Sequence, residues 1–177
     1  MSQEQDDRVL ALQIGRPLRA LSSVRASCSL GLPIVAAVPP VLDTGEPFPT
    51  RYWLTCPLAR RRIARLEAGG GVRAVQKRVD DDVSFRAALA EVHRRYERDR
   101  SALIPEGARH VPRGGVGGSS GGVKCLHAHY ADYVAGNENP IGMDVARQIG
   151  EPRCEVPCVA EVEGELAKNP DWREPGA

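Results

Sequence analysis

The strongest pattern of apolar and polar positions lies between residues 84 and 103. Apolar side chains recur there every three or four positions, the spacing that places them on one face of an α-helix. They are Phe85, Ala88, Leu89, Val92 and Tyr96. An acidic triplet at residues 80–82 comes just before this run, and negative charge is favourable at a helix N-terminus. The pattern therefore predicts a long helix from about Ser84 to Leu103.

Shorter patterns predict four more helices. Their apolar spacing is combined with residues that start or stop helices, such as Pro57 and Gly136. The glycine triplet at 69–71 is expected to stop the second of them. The four helices are predicted at residues 4–14, at 58–68, in a segment ending near Ala135, and at 143–149.

The rest of the chain predicts strands and loops. Small and β-branched residues at 21–28 and 34–38, separated by turn residues, indicate a pair of strands. Glycine and proline dominate residues 105–122, which predicts a loop. We expect an α+β fold in which helices pack on a short sheet. A single domain over residues 1–150, with a family-like core at about 12–145, would be followed by a loop-rich extension over 151–177.

Composition narrows the class of protein. The chain has 177 residues, 42% of them hydrophobic and 27% charged, which is enough to bury a core. Its net charge of +1 excludes a generally basic nucleic-acid coat protein. Residues 1–50, 51–113 and 114–177 carry net charges of −1, +7 and −5. The basic middle could dock an acidic protein or nucleic acid, or it could be neutralised by the acidic last third. Its clustered arginines are Arg60, Arg61, Arg62, Arg65, Arg94, Arg95 and Arg98.

The sequence also suggests a cellular location. No apolar run approaches the roughly 18 residues needed to cross a membrane, and the polar N-terminus lacks the features of a secretory signal. We therefore expect a cytoplasmic protein. In a reducing cytosol the five cysteines are expected to be thiols or metal ligands, with no disulfide-linked partner.

The segment Lys124-Cys125-Leu126-His127-Ala128-His129 concentrates residues that can carry chemistry. If a helix includes Lys124, then Cys125 and His129 share a face and His127 points away, which suggests a metal site. If the helix begins near Leu126, then Cys125 lies at its N-terminus. The helix dipole and Lys124 would there lower the pKa of the thiol and favour a nucleophile.

A second group of thiols lies in the C-terminal third. Cys154 and Cys158, together with Cys125 and either His129 or His127, are ligand types that zinc prefers. Small buried cysteines would be the alternative interpretation. Cys56 precedes Pro57 near a predicted helix start, and His93 is expected to be a hydrogen-bonded core residue. An anion held by loop amides and Lys124 is also conceivable on chemical grounds.

Several motifs resemble one bacterial family. They are Gly15-Arg16-Pro17, the Cys28 to Pro33 turn, Pro47-Phe48-Pro49-Thr50, Leu54-Thr55-Cys56-Pro57, Leu66-Glu67, Val123-Lys124-Cys125-Leu126-His127 and Asn139-Pro140 with Gly142. Over about residues 12–145 the chain resembles the "domain of unknown function 501" family. The resemblance implies a small cytoplasmic protein and assigns no activity. Because Cys28, Cys56, Cys125 and His127 lie on these motifs, they form a competing set of metal ligands.

Two hypotheses of function follow. The first is a zinc-binding or cysteine-dependent small enzyme in which Cys125, His127 and Lys124 carry the chemistry. The second is a non-enzymatic binding module whose basic central helices dock an acidic protein or nucleic acid. A phosphate-containing ligand is compatible with either.

Overall fold

The computed structural model describes residues 2–176, and within them it contains six α-helices and two antiparallel sheets. The helices are α1 (Gln3–Ile14), α2 (Pro57–Ala68), α3 (Gly71–Asp81), α4 (Val83–Ser101), α5 (Leu126–Val134) and α6 (Pro140–Ile149). The strands are β1 (Ser23–Ser27), β2 (Pro33–Ala37), β3 (Tyr52–Leu54), β4 (Val159–Val162) and β5 (Glu165–Lys168). The α+β fold class is therefore confirmed.

The larger sheet is built around β2. This strand pairs antiparallel with β1 on one side and with β3 on the other, so that Ala37 lies opposite both Ser23 and Tyr52. All five residues of β2 are buried, which explains its run of small and branched side chains. The predicted pair of strands is confirmed. The three-residue strand β3 is too short to leave a pattern in the sequence.

The long helix α4 also matches its prediction. Phe85, Leu89, Val92 and Tyr96 are buried along one face. At its start the side chain of Asp82 accepts hydrogen bonds from the amides of Ser84 and Phe85, at 2.9 and 3.0 Å. Asp82 is thus the N-cap of α4, whereas the other two acidic residues of the triplet belong to the last turn of α3.

Three local predictions need correction. The glycine triplet ends α2, but its last member, Gly71, is the first residue of α3. A Cβ atom on Gly71 would lie 2.7 Å from the carbonyl oxygen of Leu66, so glycine there permits a close approach rather than a stop. Helix α6 begins at Pro140 instead of Met143, because Asn139 caps it by accepting from the Gly142 amide at 3.0 Å. The C-terminal extension contains the hairpin of β4 and β5.

Ion pairs join the basic middle of the chain to its acidic last third. Glu174 accepts two hydrogen bonds from Arg65, both at 2.7 Å. Arg78 pairs with Asp144 at 2.8 Å. Internal neutralisation of the basic segment, one of the two interpretations drawn from the sequence, therefore takes place at these positions.

Membrane-spanning helices and disulfide bonds are two features that the sequence did not lead us to expect. Within residues 2–176, no helix combines the length and the apolar character needed to span a membrane. The five cysteines are all free thiols.

Candidate functional site

The Lys124 to His129 segment adopts the second of the two geometries considered for it. Helix α5 begins at Leu126, and Cys125 is its N-cap residue with an extended backbone. The expected lowering of the Cys125 pKa is wrong. Burial raises the pKa of this thiol above its ordinary value, and the opposing effects of the Ala128 amide and Lys124 do not compensate.

Glu67 connects the end of α2 to the start of α5. Its Oε1 atom accepts a hydrogen bond from the Leu126 amide at 2.5 Å and lies 3.1 Å from Nδ1 of His127. The other ring nitrogen of His127, Nε2, lies 3.2 Å from the carbonyl oxygen of Arg60. Because both oxygens can only accept, the ring satisfies both of them when both nitrogens carry protons. His127 is thereby fixed in orientation.

Two cavities meet at Arg60 and His127. One has a volume of about 490 Å³ and lies between α1, α2 and the β4–β5 hairpin. The other has a volume of about 510 Å³ and lies between β3, Gly117 and the start of α5. We call the two together the basic groove. Its charged or titratable lining residues are Tyr52, Arg60, Arg61, Lys124, Cys125, His127, Cys158 and Lys168.

The charges of the basic groove are one-sided. Over the described residues 2–176, neither cavity is lined by an aspartate or a glutamate. In the same part of the chain Arg60, Lys124 and Lys168 form no ion pair with a carboxylate. All three are exposed. The groove therefore presents a positive potential to solvent.

Each part of the basic groove also has an aromatic wall. Trp172 lines the first cavity and Trp53 lines the second, and these are the only two tryptophans in the sequence. The guanidinium carbon of Arg61 lies 4.8 Å from the centre of the Trp172 ring, a distance typical of a cation–π contact. Flat apolar surface and positive charge are thus combined in one site.

Neither of the two predicted sets of metal ligands shares a single cavity. Cys125 lines the basic groove, whereas Cys154 lines a different cavity. His129 is fully buried, with Nδ1 beside the Asn139 side chain at 3.1 to 3.2 Å. Considering residues 2–176, no group of three or more His, Cys, Asp or Glu side chains is arranged to hold a metal ion.

The structure combines the two sets differently. Four cysteines line one small cavity of about 10 Å³, which we call the thiol cavity. They are Cys28 and Cys56 from one set and Cys154 and Cys158 from the other. Burial, with smaller contributions from the neighbouring Cys158 and Cys154, raises the pKa of Cys56 to about 11. Cys125 is the one cysteine outside this cavity.

Sequence reasoning missed Trp172, which lines the groove, and Glu67, which contacts the lining residue His127 from behind. Glu67 was noticed only as part of a motif, because nothing local indicates that it reaches a segment 59 residues further along the chain. Trp172 lies in the extension predicted to be loop-rich, and only the fold of the C-terminal segment brings it beside Arg61.

Comparisons with known proteins place the chain in a family without adding an activity. No curated protein and no solved structure matches it. Residues 24–147 match the model of the family described as "Protein of unknown function (DUF501)". The match includes β1 to β3 and all helices from α2 to α5, and it contains Arg60, Lys124 and His127 of the basic groove. Because it covers more than half of the sequence, the chain belongs to the DUF501 family.

Proposed function

We propose that this protein binds a phosphate-containing small molecule in the basic groove. The observation that carries the proposal is the convergence of Arg60, Lys124 and Lys168 on a groove without acidic lining residues. Cations without a carboxylate partner attract an anion, and a concave wall of low polarisability concentrates their field. Guanidinium and ammonium groups donate strong, charge-assisted hydrogen bonds to phosphate oxygens.

The size and the walls of the groove indicate what else the ligand carries. Cavities of about 490 and 510 Å³ lie within the usual range of small-molecule sites. Trp53 and Trp172 line the groove with aromatic side chains that a planar ring of a ligand can contact. A phosphate ester or diphosphate attached to a planar ring, as in a nucleotide, fits this combination of charge and aromatic surface.

The basic helices favour an acidic protein or nucleic-acid partner less strongly. Arg65 is already paired with Glu174, and Arg94 with Glu91 at 2.5 Å. These pairs reduce the charge that the outer face of the helices can offer to a macromolecule. Two phenylalanines, two tryptophans and four tyrosines also make a poor platform for stacking many bases.

Enzymatic use of the same segment has less support than binding. Burial raises the pKa of Cys125, so the reactive thiolate is disfavoured at neutral pH. Both ring nitrogens of His127 already face oxygen acceptors within the protein. Thiol-dependent catalysis by Cys125, His127 and Lys124 stays a prediction, and we give these residues a binding role.

Tryptophan fluorescence can test the proposal directly, because each tryptophan lines one part of the groove. Titration with inorganic pyrophosphate and with ADP at low salt should change the emission and give saturating binding. Arg60→Gln and Lys124→Gln should each weaken ADP binding about tenfold or more, as the loss of a charge-assisted hydrogen bond requires. Comparison of Trp53→Phe with Trp172→Phe identifies which part of the groove holds the ring.

Arg109→Gln is the matched control, because it removes an exposed arginine outside the groove. It should leave binding unchanged. The proposal fails if neither pyrophosphate nor ADP binds at millimolar concentration. It also fails if the Arg60 and Lys124 variants bind as tightly as the unmodified protein.

A further inference from the structure

Three distant segments bring their cysteines to the thiol cavity. Cys28 lies in the turn after β1, Cys56 immediately precedes α2, and Cys154 and Cys158 belong to the C-terminal segment. Four of the five cysteines in the chain therefore meet at one place, although up to 130 positions of sequence separate them. Such convergence is not required for packing, since any small apolar residue would fill the same volume.

Hydrogen-bond donors are directed at two of the four sulfur atoms. Nε2 of Gln13 donates to Sγ of Cys158 and Nε1 of Trp172 donates to Sγ of Cys154, both at 3.5 Å. A neutral thiol is a weak acceptor, whereas a thiolate is a strong one. Donors placed in this way are typical of the surroundings of metal-bound cysteine.

We propose that Cys28, Cys56, Cys154 and Cys158 bind one structural zinc ion. Zinc prefers four tetrahedral ligands in closed structural sites and is commonly held by four cysteines. The Cys154-x3-Cys158 spacing lies within the range found for pairs of zinc ligands. In the arrangement described, the sulfur atoms line the cavity without forming a coordination shell. Binding therefore draws them inward and releases the thiol protons to solvent.

The size of the thiol cavity favours a single ion. A volume of about 10 Å³ accommodates about one water-sized atom, which excludes an iron–sulfur cluster in this arrangement. Four thiolates around Zn²⁺ carry a net charge of −2. Gln13, Pro57, Cys158 and Trp172 line both the thiol cavity and the basic groove, so the negative site would adjoin the groove lined by Arg60, Arg61 and Lys168.

The role of this zinc ion is to fasten the C-terminal segment to the domain. Between α6 and residue 176, the regular structure consists of the hairpin formed by the two four-residue strands β4 and β5. Cys154 and Cys158 precede that hairpin, and the ion would tie them to Cys28 of the sheet and Cys56 of α2. Metal coordination would then hold the C-terminal segment in place, because the segment has only a small hydrophobic core of its own.

The first experiment measures metal content. The full chain is produced with zinc in the medium and purified without chelators or a histidine tag, and its metals are determined by elemental mass spectrometry. We expect about one equivalent of zinc in the unmodified protein and in Cys125→Ser, which keeps all four thiols of the cavity. Cys154→Ser and Cys28→Ser should retain less than a tenth of an equivalent.

A second measurement covers the case in which those variants do not fold. Chelator treatment of the unmodified protein should lower its melting temperature, and Co²⁺ added afterwards should produce thiolate-to-metal charge-transfer and tetrahedral absorption bands. Zinc should protect four of the five thiols from alkylation. The inference is overturned by unmodified protein with less than a tenth of an equivalent of zinc and no cobalt bands, by iron in place of zinc, or by a disulfide between Cys154 and Cys158.

Discussion

Acid should destabilise the protein through the buried imidazole of His129. This side chain is fully buried, and its ring centre lies 5.9 Å from that of His93. Burial, together with the charge of His93, lowers the pKa of His129 from 6.5 to about 4. Its Nε2 atom is buried and has no hydrogen-bond partner within residues 2–176. The native state therefore holds this ring neutral at pH values where the unfolded chain is protonated.

The sign and the size of the effect follow from these two pKa values. A lowered native pKa leaves stability unaffected well above pH 6.5 and reduces it as the pH falls towards 4, because only the unfolded state takes up the proton. Each pKa unit corresponds to about 1.4 kcal/mol, so the free energy of unfolding should fall by about 2 kcal/mol at about pH 5 and about 3 kcal/mol at about pH 4.

Neighbouring titratable side chains change the total loss of stability in acid. Burial also lowers the pKa of His93, which adds to the loss of stability in acid. Burial raises the pKa of Asp132, and this carboxyl acts in the opposite direction as it takes up a proton in the native state. The contribution of His129 is therefore read from a comparison of variants instead of from the unmodified protein alone.

Urea unfolding at about pH 7.5 and about pH 5 provides the assay. His129→Gln keeps a polar amide beside Asn139 and removes the imidazole that takes up the proton. Between the two pH values its free energy of unfolding should therefore fall by about 2 kcal/mol less than that of the unmodified protein. His110→Gln, an exposed loop position, should behave like the unmodified protein. Equal pH dependence of His129→Gln and the unmodified protein would refute the reasoning, as would an NMR titration that places the pKa of His129 at 6 or above.

Three substitutions around α5 and α6 test how these helices are held, each by urea unfolding at neutral pH. Gly142→Ala places a Cβ atom 2.3 Å from the carbonyl oxygen of His129, so the helices must separate at a cost of about 1–3 kcal/mol. Asn139→Ala removes the cap of α6 and the partner of a buried carboxylate, and should cost roughly 2–4 kcal/mol. Glu67→Ala removes the acceptor of the Leu126 amide and should cost about 1–2 kcal/mol. A change below about 0.5 kcal/mol in any of them would contradict the contact it removes.

Elements with a local signal could be predicted from the sequence. The apolar face of α4 runs from Phe85 to Tyr96, about three turns, and the N-cap of the helix is a single aspartate within hydrogen-bond reach of the following amides. His93, predicted to be a hydrogen-bonded core residue, is buried and accepts from the Val116 amide at 3.1 Å. For the helix and its cap the residues that determine the structure are neighbours in sequence, whereas the partner of His93 lies 23 positions away.

Helix α3 shows where such reasoning fails. The glycine triplet at 69–71 has the composition of a helix stop, although Val72, Val75 and Val79 after it recur with helical spacing and pack on the core. A Cβ at Gly71 would come 2.7 Å from the carbonyl oxygen of Leu66 and 3.1 Å from Cδ1 of Leu126. Glycine is therefore required by the backbone of α2 five residues earlier, and the second contact, with a segment more than 50 residues away, leaves no local signal in the sequence.

The cysteines show the same limit at the candidate sites. Both predicted ligand sets included Cys125 because its neighbours Lys124 and His127 made it the most conspicuous thiol in the sequence. In the fold, the N-cap position directs Cys125 to the basic groove, and the four remaining thiols meet without it. Ligands contributed by separate loops are brought together only by tertiary packing. The sequence could therefore suggest Cys28 with Cys56, and Cys154 with Cys158, but it could not indicate that the two pairs meet in one cavity.

The C-terminal segment determines how the two sites are related. The family match ends at residue 147, before Cys154, Cys158, Lys168 and Trp172. The matched region therefore contains every lining residue of the cavity with Lys124 and Trp53. It contains only some of the residues that line the cavity with Lys168 and Trp172. Residues outside the matched region complete the cavity with Lys168 and Trp172, and they also supply two of the four cysteines of the thiol cavity. Because Cys158 and Trp172 line both, any force that holds the cysteines in place also positions a wall of the basic groove. A metal ion bound by the four thiols would thus act on ligand binding without touching the ligand.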